Sequence, residues 1–200
     1  MKPITEFYMK AWDAVTKAGY ADEAEWVRNL KPIEDQTYDA FIHEYVWVVL
    51  NANMWEQAAR KVYDKFWECV EEKHQQVLVH EGQNPFLVIR HPNKRNAIMK
   101  VLPNGSKIFK GLQEAEDKIA YIATLPYMGQ ALRHHLARNL GIDTVKPDRH
   151  MIRLAERFGY ASPLEMCKDI QDDLYPTKEK LGVIDVILWR YCNLGGCEKP

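Results

Sequence analysis

A chain of 200 residues, 46% hydrophobic and 28% charged, can build one sizeable core or two smaller ones and has the composition of an ordinary globular protein. Its net charge of −1 excludes any case for a nucleic-acid partner made from bulk charge alone. No apolar run approaches the roughly 20 residues that span a bilayer, and MKPITEFYMKAWDAV lacks the unbroken apolar stretch of a secretory signal. A cytoplasmic protein that meets no membrane is expected.

The charge is unevenly spread. Residues 1–82 carry fifteen acids against nine bases, whereas residues 83–113 carry six bases (Arg90, Lys94, Arg95, Lys100, Lys107, Lys110) and no acid. Residues 126–153 add Arg133, Arg138, Lys146, Arg149 and Arg153 and three histidines against Asp143 and Asp148. A basic middle is the footprint of a face that meets phosphates, and equally of a solvated helix surface. Cys69, Cys167, Cys192 and Cys197 form no CxxC pair, so reduced thiols and no metal site are expected.

The elements read as helices almost throughout. Residues 4–18 put Ile4, Phe7, Tyr8, Ala11, Trp12 and Val15 on one stripe. Thr37 or Asp39 caps a helix through FIHEYVWVVLNANMW, apolar nearly all round and so a buried central helix. A helix follows over about 56–72. Residues 75–92, with VLVH and FLVIR around EGQNP, read as a small hairpin or an irregular crossing. A short basic helix starts at Asn93 and breaks at Pro103-Asn104-Gly105. Helices are expected over 113–125, 130–140 and 148–158, another from the Ser162-Pro163 start, and a last one over 178–194 ending at Gly195-Gly196. The class is all-α.

KIAYIATLPYMGQALRHHLARNLG carries the most information. Pro126 ends one helix, Tyr127-Met128-Gly129 make a tight turn in which Gly129 permits a backbone that a side chain would block, and a second helix begins at Gln130. Free amides at that helix start form an anion site, to which Arg133, His134 and Arg138 add charge. The next stretch, GIDTVKPDRHMIR, puts Asp148 in the first turn of a further helix, 17 residues beyond Ala131.

LPYMG, then ALRHHLARNLG, then VKPDRHMIRLA resemble the helix-hairpin-helix (HhH-GPD, endonuclease III-like) DNA glycosylase superfamily over about residues 112–158, and loosely over 41–55 and VIDVILWRYC. The resemblance implies a two-lobed helical fold with a central cleft: residues 31–140 as a six-helix-type lobe carrying the hairpin (119–141), and residues 1–30 with 141–200 as the lobe carrying Asp148. It implies a monomer that binds double-stranded DNA, in the cytoplasm and nucleoid-associated, through Pro126, Tyr127, Met128, Gly129, Arg133, His134, Arg138, Lys146 and Arg149. It implies Asp148 as the catalytic carboxylate, which stabilises the positive charge that develops on the sugar; an aspartate there is also a helix cap, and the two roles can coexist. A wedge or base pocket falls at Asn53 and Trp55, with Trp47 and Glu44 behind; Tyr45, Trp47 and Trp189 serve as pocket wall or core. Lys146 is read as a phosphate contact or surface residue, or else as an amine nucleophile.

The sequence departs from the family at three points. Ala131 stands where strand-cleaving members place a nucleophilic lysine, which implies a monofunctional enzyme that uses water. Tyr127 stands where the turn ordinarily has glycine. The iron–sulfur cysteine motif is absent, so no cofactor is expected beyond a monovalent cation at the hairpin. The function implied is excision of a damaged or modified base in repair. The alternatives are a base-flipping transferase that decorates hydroxymethyl-type pyrimidines in phage DNA, and a non-catalytic hairpin module that only binds DNA.

Overall fold

The computed structural model describes residues 1–75 and 84–197. Its helices, in chain order, are α1 Pro3–Lys17, α2 Ala21–Asn29, α3 Tyr38–Asn51, α4 Glu56–Gln75, α5 Pro92–Val101, α6 Gly105–Glu114, α7 Lys118–Ala123, α8 Gln130–Asn139, α9 Arg149–Arg157, α10 Pro163–Asp173 and α11 Leu181–Asn193, with short 3-10 turns between some of them. Among the described residues there is no strand, and no helix is long and apolar enough to cross a membrane. The class is all-helical. Residues 76–83 of the stretch 75–92 lie outside the described residues; the expected second arm of a hairpin, FLVIR, is no strand, since Pro85–Val88 form a 3-10 turn.

The chain divides into two compact units, Met1–Asp35 with Ala137–Pro200, and Gln36–Leu136. The expected divisions after residues 30 and 140 therefore shift by a few positions, and the second falls inside α8. In the first unit α11 is the centre. Eleven of its thirteen residues are buried, and it packs against α1, α2, α9 and α10. Those helices present Ile4, Tyr8, Ala11 and Val15, then Ala24 and Val27, then Met151 and Leu154, then Met166 and Ile170. Each fully buried Ile, Leu or Met contributes roughly 2 kcal/mol of transfer free energy. In the second unit α3 plays that part. Thr37 accepts from the Ala40 amide and starts it, and Phe41, Ile42, Tyr45, Val46 and Val48–Leu50 are buried against α4, α5 and α6.

Three departures from the sequence reading have physical reasons. α2 buries only Ala24 and Val27, too few positions to announce a period. Pro103 does not end the helical path, because Leu102–Asn104 form a 3-10 turn that hands α5 on to α6. The helix expected over 113–125 is two pieces, since Asp117 accepts from the Ala120 amide and restarts the chain as α7. The cysteines also correct the expectation of reduced thiols: Cys192 and Cys197 form a disulfide at the end of α11, while Cys69 and Cys167 are free and buried.

Candidate active site

Residues 141–148 link α8 to α9 and are anchored at four points. Gly141 has a φ of 84°, and a Cβ there would collide with the Lys31 carbonyl oxygen, so both conformation and space demand glycine. Asp143 accepts from the Gly182 amide at 2.9 Å, in the first turn of α11. Thr144 and Val145 are buried. Asp148 then caps α9, its Oδ1 accepting from the amides of His150 at 2.9 Å and Met151 at 3.2 Å.

This leaves the second oxygen of Asp148 for other work. Oδ2 lies 3.6 Å from the Lys146 Nζ, with the two side chains 15% and 18% exposed respectively. The carboxylate is fixed in direction by two amides and half-sheltered, but not sealed. Lys146 Nζ also stands 5.8 Å from the centre of the Trp189 indole ring. Lys146 is therefore not an exposed surface lysine, and burial pulls its pKa below the ordinary lysine value, against the opposing pull of Asp148.

Behind this pair sits a second one. Arg138 Nη1 contacts Asp185 Oδ2 at 2.5 Å, and Asp185 is 1% exposed. Burial pushes the Asp185 carboxyl up to about 6 although Arg138 draws it down; desolvation of a sealed carboxylate outweighs one guanidinium. Its other oxygen is buried without a hydrogen-bond partner. Gly182 makes the contact reachable, since a Cβ there would stand 3.1 Å from the Arg138 Cγ. Arg138 was expected at the DNA, and the structure places its charge on Asp185 instead. Sequence reasoning missed Asp185; a lone acid in the apolar run of α11 was the available signal.

In the second unit the hairpin turn is shaped by residue 127, not 129. Tyr127 has a φ of 70°, the left-handed conformation for which glycine is ordinarily used. Gly129 has no such φ, and a Cβ on it would meet nothing within 4 Å. The expectation that Gly129 serves the backbone is corrected, and its open surroundings leave room for a close approach. Tyr45 is buried and donates its hydroxyl to the Pro126 carbonyl at 2.8 Å, so it fixes the turn from below and is no pocket wall. Arg133 N bonds Gly129 O, which leaves the amides of Gln130, Ala131 and Leu132 ahead of the first helical bond. Met128, expected at the DNA, has its side chain in the core, 4% exposed. Burial, and then the Arg133 charge, lower the His134 pKa and so favour its neutral imidazole. Arg133 and Pro126 are half-buried, and Arg149 in the first unit is exposed.

The expected wedge segment follows α3. Asn53 has a φ of 52° and is exposed, and Trp55 is 72% exposed. Lys94, one of the six bases of the basic stretch, is buried and donates to the carbonyls of Leu50 at 2.8 Å and Ala52 at 2.6 Å. It satisfies the end of α3 and holds the turn from which Asn53 projects. Trp47 lies under the Arg60 guanidinium at 4.0 Å and edge-on to Tyr63. Glu44 is half-buried. A cavity of about 650 Å³ in this unit lies elsewhere, between Leu50, Met54, Val62 and residues 84–91; Asn53, Trp55, Trp47 and Glu44 do not line it. Among the described residues no group of His, Cys, Asp or Glu side chains could hold a metal ion.

Comparison with known proteins finds no matching family model, no matching curated protein and no matching solved structure.

Proposed function

We propose that this protein is a monofunctional DNA N-glycosylase of the two-lobed helix-hairpin-helix type, which extrudes a damaged or modified base from double-stranded DNA and hydrolyses its N-glycosidic bond. The observation that carries the reading is the Asp148 carboxylate: one oxygen locked by the first amides of α9, the other turned to Lys146 in a half-sheltered position. A negative charge fixed in direction before the reaction stabilises an oxocarbenium-like sugar without reorganising as the charge forms. Water supplies the nucleophile, because Ala131 offers no amine from the hairpin. The open amides ahead of Arg133 and the clearance around Gly129 suit a phosphate. In this reading Asn53 and Trp55 fill the gap left by the extruded base. In this reading the enzyme works as a monomer in repair, with no cofactor beyond a monovalent cation at the hairpin.

Asp148→Asn is the decisive variant, because asparagine caps a helix about as well as aspartate yet carries no charge. Duplexes containing uracil, hydroxymethyluracil, an alkylated purine or oxidised guanine are incubated with each protein and then treated with hot alkali. Strand breaks that require alkali are expected from the wild type, and a rate lower by about a hundredfold or more from Asp148→Asn at unchanged melting temperature. A mass gain on an intact base would replace the reading with base decoration. Binding without chemistry on any duplex, unchanged in the variant, would leave only a DNA-binding module.

A further inference from the structure

We propose that Lys146 is the proton donor to the departing base and, in the second half of the same reaction, the acceptor of the proton from water. The inference rests on the glycosylase reading of Asp148 and adds a catalytic group to it.

Three observations lead there. Lys146 is one residue removed from a proline-led helix cap, on a segment anchored by Gly141, Asp143 and Val145, so its position is fixed by backbone and not by chance of a mobile side chain. Its Nζ is 3.6 Å from the Asp148 oxygen that the α9 amides leave unused. If that oxygen faces C1′ at van der Waals distance, an amine beside it reaches the atoms bonded to C1′, the first of which is the base nitrogen. The groups around the amine are Asp148 from α9, Asp185 and the Trp189 ring from α11, and Arg138 from α8. Two acids and one other base make a nearly balanced set, in which burial and Arg138 favour the neutral amine and the two carboxylates favour the ammonium. An amine whose proton is loosened from the ordinary lysine value exchanges it more readily near neutral pH; arginine, which holds its proton far above any working pH, does not.

The step balances. The bond between C1′ and the base breaks, with its electron pair leaving on the base. The Lys146 ammonium protonates the base as that charge appears, and Asp148 faces the cationic sugar. Water adds to C1′, and its proton passes to the neutral Lys146 amine, which restores the ammonium. The products are the free base and an abasic sugar, and the only co-reactant is water.

The test is single-turnover excision across pH on whichever of the four duplexes above the wild type acts upon. The wild-type rate is expected to fall on the alkaline side as Lys146 loses its proton. Lys146→Met should lose about a hundredfold in rate together with that alkaline limb, and Lys146→Arg should remain as slow, since it restores charge but gives up no proton. Lys146→Gln serves as a second neutral variant should the methionine protein not fold. Restoration by arginine would overturn the proposal in favour of plain charge. So would rates and pH profiles of Lys146→Met and Lys146→Gln that match the wild type. A covalent adduct trapped by borohydride on DNA with a preformed abasic site would also overturn it, by making Lys146 attack carbon instead of moving a proton. Excision lost in Asp148→Asn but intact in the Lys146 variants fails this inference alone; no excision by the wild type fails the glycosylase reading and this inference with it.

Discussion

Asp185 shows how one residue can link the stability of the first unit to the composition of its site. Its carboxyl is sealed, one oxygen on Arg138 and the other without a partner, and burial pushes it up to about 6. The unfolded chain ionises the same group near 3.9. The folded state therefore holds this proton more tightly, and its contribution to stability is present at low pH and is lost as pH rises from about 4 through about 6. Asparagine at 185 cannot ionise. The unfolding free energy of Asp185→Asn relative to wild type is expected to improve by on the order of 2 kcal/mol between pH 4 and pH 7, measured by denaturant titration at each pH. A gap that does not move with pH would show that the carboxyl ionises in the folded protein as it does in the unfolded chain. Arg138→Ala is a different experiment. It removes the hydrogen-bond partner of a buried carboxyl, which protonates in compensation, and should cost about 1–3 kcal/mol, so its first effect is on folding and not on DNA.

At the scale of elements, the informative contrast is between two glycines that the sequence presents alike. Gly141 and Gly129 each stand at a helix end, and the sequence invites a backbone argument for both. Only Gly141 has the left-handed φ, and only there does a neighbouring carbonyl oxygen occupy the space of a Cβ. Gly141→Ala should cost about 1–3 kcal/mol for the backbone alone. It should also slow excision, because a shift at 141 passes along a segment pinned at Asp143 and Asp148. Gly129→Ala should leave the denaturation midpoint unchanged and weaken only DNA binding. A midpoint loss at 129 as large as that at 141 would refute this division. The reason the sequence misleads is physical. The strained position of the turn is taken by Tyr127, a residue type that gives no warning of a positive φ, and the turn is held by Tyr45, 81 residues before Pro126, whose hydroxyl donates to the Pro126 carbonyl.

For the whole molecule, periodicity was a good guide to which faces are buried and a poor one to which polar groups meet. The apolar stripes of α1, α3 and α11 and the caps at Thr37, Asp148 and Ser162 were legible because each is local in sequence. The set formed by Arg138, Lys146, Asp148 and Asp185 was not, because it joins α8, the following loop, α9 and α11, and no spacing rule connects residues 47 apart. The same limit applies to the basic middle of the chain, where charges that look equivalent in sequence differ in availability. Lys94 is buried on two carbonyls, Arg138 is matched by Asp185, and burial favours the neutral form of His134, whereas Arg90, Lys100, Lys107 and Lys110 are exposed and Arg133 is half-buried. Only a cation not already neutralised inside the protein releases counterions when it meets a phosphate. The affinity for a plain duplex should therefore fall linearly on a log–log plot against salt. Arg133→Ala should flatten that slope by about one unit, while Arg138→Ala, measured below its unfolding temperature, should leave the slope as it is. Equal slopes for the wild type and Arg133→Ala would place the DNA away from the hairpin, and a slope flattened by Arg138→Ala would mean that DNA draws this guanidinium off Asp185.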